Sequence, residues 1–121
     1  MRAIATVLIV VLVMALSPAE VEQRGWLRVW QEGNAQQWLD PQSVVEKAGL
    51  LRADSVFFPE VGEPVTYRSL YRLAEGDYQD LDADGEPLHE WRSLADDPFN
   101  QAVFEAASRW ARTRTRLADP A

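Results

Sequence analysis

The chain has 121 residues, 12 Lys+Arg against 19 Asp+Glu, and a formal net charge of −7. One domain's worth of chain with 47% hydrophobic residues is neither disordered nor long enough for several cores. The acidic balance argues against a nucleic-acid partner, whose affinity comes from neutralised phosphates, and the absence of cysteine removes disulfides, thiolate nucleophiles and thiolate-bound zinc.

Residues 1–19 carry Arg2, then an uncharged, mostly apolar run from Ile4 to Leu16, then Ser17-Pro18-Ala19. A short basic start, an apolar stretch and small residues at the cleavage positions form a secretory signal peptide, expected to be removed after Ala19. The alternative is an uncleaved anchor, although a spanning helix needs roughly 20 apolar residues. No cysteine follows the run, so a lipoprotein anchor is excluded.

Residues 20–25, polar and ending in Gly25, read as a tether to a single domain over 26–116. In 26–30, Leu27 and Val29 alternate with Trp26, Arg28 and Trp30, which suits a strand. Gly33-Asn34 marks a turn and residues 36–40 a short second strand closed by Asp40-Pro41. Residues 41–49 read as a turn or one helical turn stopped by Gly49. Strands follow at 50–58 and 65–73, the latter with Val65, Tyr67, Ser69, Tyr71 and Leu73 on one face. Residues 77–82 and 86–92 flank Asp84-Gly85, a hairpin signal. From Asp97, a good N-cap followed by Pro98, the period lengthens: Phe99, Val103, Ala106, Ala107, Trp110 and Leu117 share one helical face to about residue 116. Arg109, Arg112, Arg114 and Arg116 complement the helix dipole, and 117–121 should fray. The expected fold is α+β, an antiparallel sheet of about six short strands with one C-terminal amphipathic helix packed on it.

Several of these landmarks come in a familiar order: W-L-R-V, then W-L-D-P-Q-S-V-V-E-K-A-G, then D-A-D-G-E-P-L, then E-W-R-S-L before the helix. From about Trp26 to Ala107 the chain resembles the surface-adhesin protein E domain of small exported bacterial proteins. The resemblance implies export and an antiparallel sheet with a packed C-terminal helix. It departs from the family in lacking a Cys pair and in a short stretch between Tyr67 and the Asp84-Gly85 turn.

Asp80, Asp82, Asp84 and Gly85 match the opening of a calcium loop, but Trp91 stands where the bidentate Glu belongs and Pro87 interrupts the loop, so no metal or cofactor is expected. His89, the single histidine, has Glu86, Glu90 and Ser93 nearby but no nucleophile elbow, so no catalytic role is assigned to it. Arg52, Arg68 and Arg72 read as surface partners of nearby acids. Trp26, Arg28 and Trp30, on one strand face, are the candidate contact residues. The expected function is a non-catalytic binding or adhesion module of the bacterial envelope, periplasmic or on the cell surface, with a protein or envelope component as partner and membrane contact only through an uncleaved N-terminus. The alternative is an envelope accessory or inhibitor-like protein acting on one partner.

Overall fold

The computed structural model describes residues 16–118, with side chains as far as Arg114. Residues 1–15, most of the expected signal peptide 1–19, and residues 119–121 lie outside the described residues. A short helix, α1 (Pro18–Gln23), precedes six strands: β1 (Leu27–Glu32), β2 (Ala35–Lys47), β3 (Leu50–Phe58), β4 (Val65–Arg72), β5 (Asp77–Leu81) and β6 (Arg92–Ser93). A 3₁₀ turn (Leu94–Asp96) leads into α2 (Pro98–Ala118). The strands form one antiparallel meander in the order β1-β2-β3-β4-β5-β6.

The two faces of the sheet are covered by different helices. Leu39, Val44, Leu51, Ala53, Tyr71 and Tyr78 line the face under α2 and meet Val103, Ala106, Ala107 and Ala111. The small alanines bring the helix close to the sheet, and Asp97 caps it through Oδ1, which accepts the Asn100 amide at 3.1 Å. Trp38, Val56 and Phe58 line the opposite face and pack with Val21 of α1, with Leu16 and Trp26 alongside.

Two expectations are corrected here. The expected tether is the second half of a helix plus its exit: Pro18–Gln23 is α-helical, Ser17 is its N-cap, and Val21 is fully buried. The polar composition of residues 20–25 hid one apolar side chain with a pocket to fill. Residues 41–47, read as a turn, continue β2. Asp40 pairs with Asp54 and Val45 with Arg52, so four residues of β2 lie opposite Ala53 alone. This bulge gives Pro41, which has no N–H, a place inside a strand. Ser43 pins it by donating to the Asp40 carbonyl at 2.7 Å and accepting the Asp54 amide at 2.7 Å, while Asp40 Oδ1 accepts the Gln42 amide at 3.0 Å. Arg114 does more than complement the helix dipole, because its guanidinium donates to the Val44 carbonyl beside the bulge. The helix runs two residues beyond the expected end at 116.

Candidate functional site

Cross-strand register sets what the α2 side of the sheet presents. Trp30, Gln37, Phe57 and Val65 make one row across β1 to β4, and Ser55 stands beside Tyr67 in the next. Ala53, Ser69 and Asp80 follow, then Leu51, Tyr71, Tyr78 and Arg92. A cleft of about 270 Å³ opens beside the first turn of α2. Its lining includes Gln37, Phe57, Tyr67, Tyr78, Arg92 and Phe99. Tyr67 and Phe99 each keep 37% of their surface exposed, while Gln37 is buried and held by a 3.0 Å bond from Nε2 to Ser55 Oγ. Trp30 backs this wall, its ring centroid 4.2 Å from that of Phe99 and 6.5 Å from that of Phe57.

The two acids of the cleft are already bonded within the fold. Asp97 accepts the Tyr78 hydroxyl at 2.6 Å and the Asn100 side-chain amide at 2.8 Å, in addition to the helix-capping bond. Burial raises its pKa, but these hydrogen bonds outweigh burial and hold the carboxyl below its ordinary value. Tyr78 is pushed up to about 12, first by burial and then by its bond to the Asp97 carboxylate. Asp80 accepts Ser69 Oγ at 3.0 Å on one oxygen and faces His89 Nε2 at 2.8 Å on the other. No hydrogen bond to a described residue engages the Tyr67 hydroxyl; burial and the charges of Asp80 and Asp97 raise its pKa, so it stays a neutral donor.

His89 was expected without a partner. The structure instead turns the ring inward, edge-on to Tyr78 at 5.6 Å, with Nδ1 2.6 Å from the Glu90 carbonyl and Nε2 against Asp80. Nε2 also accepts the Asp80 backbone amide at 3.1 Å. The order Ser69–Asp80–His89 puts the acid between hydroxyl and imidazole, so this imidazole is not in place to take the Ser69 proton as a triad's base does. Ser69 is also 1% exposed.

Asp80, Asp82 and Asp84 do not converge as calcium ligands. Asp80 is bonded in the cleft, whereas Asp82 Oδ1 accepts the Asp84 and Glu86 amides, each at 2.9 Å, and so folds its own turn. Among the described residues no group of three His, Cys, Asp or Glu side chains is placed to hold a metal ion. Two of the three arginines are paired as expected, on the opposite face: Arg68 with Asp54 at 3.2 Å, and Arg72 with both oxygens of Asp77, the Arg72 guanidinium lying 4.2 Å over the Trp91 ring, whereas Arg52 pairs with no described acid.

The three candidate contact residues are not brought together. A register shift between Arg28 and Trp30 breaks the alternation of β1. Trp30 therefore joins the cleft side with Phe57 and Phe99, while Arg28 lies 6.0 Å over Trp38 on the other face and Trp26 packs there against the α1 cluster. Tyr67, Phe57, Phe99, Arg92 and Gln37 were not singled out as a site. No pattern within a single strand signals them, because the cleft forms only where β2, β3, β4, β5 and the first turn of α2 meet.

No helix among the described residues is long and apolar enough to cross a membrane. Comparisons with protein-family models, with curated proteins and with solved structures find no match.

Proposed function

We propose that the chain is an exported, non-catalytic binding module that engages a protein or another component of the bacterial envelope through the cleft beside α2. The observation that carries this reading is the half-exposed aromatic pair Tyr67 and Phe99 at the mouth of a cleft whose acids are committed internally. What remains for a partner is two aromatic faces and the Tyr67 hydroxyl, with the Arg92 guanidinium beside them in hydrogen-bond reach of the Tyr78 hydroxyl. Aromatic and arginine side chains are the usual anchors of binding surfaces. The resemblance to the surface-adhesin protein E domain supports an adhesion-type role. The inverted Ser69–Asp80–His89 order supports a role that needs no reacting group.

The test is retention of native envelope components on the immobilised domain. A Tyr67→Ser/Phe99→Ser variant changes two half-exposed rings and should lose the components that the unaltered domain retains. A Trp26→Ser/Arg28→Ser variant, altered on the other face, should keep them. The opposite pattern would return the contact surface to β1, and turnover of ester, peptide or glycoside substrates abolished by His89→Ala would overturn the non-catalytic reading.

A further inference from the structure

We infer that the leader is cut between Ala15 and Leu16, four residues upstream of the cut expected after Ala19, so that the mature domain keeps Leu16 and the Ser17 cap of α1. This inference rests on the export reading. Its support is the way residues 16–26 are built into the domain. Ser17 caps α1, its Oγ accepting the Glu20 amide at 3.3 Å, and Pro18 occupies the start of the helix, where a missing N–H costs nothing. The Ser17 carbonyl accepts the Val21 amide at 3.1 Å. Val21 is fully buried and returns a bond through its own carbonyl to the Trp26 amide at 3.0 Å, which ties α1 to the start of β1. Leu16 packs with Trp26 around Val21, Trp38, Val56 and Phe58.

Cutting after Ala19 would remove Leu16, the cap, the proline and the acceptor of the Val21 amide. A buried N–H left without a partner costs more than an ordinary hydrogen bond contributes. Cutting after Ala15 removes none of these. The sequence supplies the chemistry for that cut: Ala15 is small at the position before the bond, Val13 is compact two residues earlier, and Ile4–Met14 is an apolar stretch of leader length. The step is hydrolysis by a signal peptidase. The Ala15–Leu16 C–N bond breaks, and water supplies the hydroxyl of the Ala15 carboxyl group and a proton to the Leu16 amine.

The experiment expresses the full chain with its own leader in an exporting bacterial host and reads the intact mass of the exported protein. The expected product begins at Leu16, is unchanged by Ala19→Leu at that exposed position, and is lost with Ala15→Leu. Any product starting at Glu20 that Ala15→Leu diverts should melt about 5 °C or more lower than the Leu16 product. A native start at Glu20, abolished by Ala19→Leu, would overturn the inference while leaving export intact. Equal melting of the two products would overturn its structural basis. Recovery of only the full-length chain in the membrane fraction would overturn the inference in favour of an uncleaved anchor, and its recovery only in the cytoplasm would overturn the export reading as well.

Discussion

Ala48 is a non-glycine residue in the left-handed region, with φ of 54°, and Gly49 follows at 79°. Together they close the two-residue hairpin between Lys47 and Leu50, a turn in which both central residues need positive φ. Glycine meets that need without cost, whereas alanine in this conformation loses about 1 kcal/mol. Ala48→Asn should therefore stabilise the domain by roughly 0.5–1 kcal/mol, read as a rise of a few degrees in melting temperature. Tyr78 carries a prediction about alkali. Its folded pKa, about 12, lies above the ordinary phenol value of 10.0, so the neutral hydroxyl's bond to Asp97 contributes stability that is fully present below pH 10. That contribution is lost as pH rises from 10 towards 12. Chemical denaturation across this window should show the unaltered protein losing more stability than Tyr78→Phe, which has no proton to lose. Parallel curves would mean that burial and the Asp97 bond together do not raise the Tyr78 pKa in the folded protein.

At the scale of the elements, α2 is held by Val103, Ala106, Ala107 and Ala111 with Trp110 and Phe104 beside them. Trp110 is partly buried and its Nε1 has no hydrogen-bond partner, so its contribution is packing area. Trp110→Ala should cost about 3 kcal/mol, the low end for a large aromatic, and lower the melting temperature by more than about 10 °C. A change of only a degree or two would contradict a docked helix. This helix was legible because period, N-cap and proline all agree at residues 97–99. β3 and β4 were legible because their alternation is unbroken. β2 was not, because Pro41 signals a break locally and only the partner strand reveals that pairing resumes at Val45. β6 shrank to two residues because beyond the Leu81–Pro87 bridge the His89 ring accepts the Asp80 amide in place of a ladder carbonyl, while Asp82 folds the 82–86 turn. In the candidate site, Trp30 was found and its neighbours were not. A register shift at Arg28 is decided by pairing with β2, and no pattern within β1 announces it.

Across the whole molecule, a six-stranded sheet with a helix on each face gives the early tryptophans two different environments. Trp26 serves the small cluster with α1, and Trp30 serves the aromatic wall beside α2. Phe99 was expected on the buried face of α2. It sits instead at the cleft mouth, half-exposed, with its ring against those of Trp30 and Phe57. Large apolar rings, an arginine and the Tyr67 hydroxyl converge at this cleft, and binding there is the central claim. It is tested most directly by amide chemical-shift mapping of the isotope-labelled domain titrated with the envelope components it retains. Shifts concentrated at Tyr67, Arg92, Phe99 and Asn100, with Trp26 and Arg28 unmoved, are the predicted result. Shifts confined to Trp26, Arg28 and their neighbours on the opposite face would contradict it.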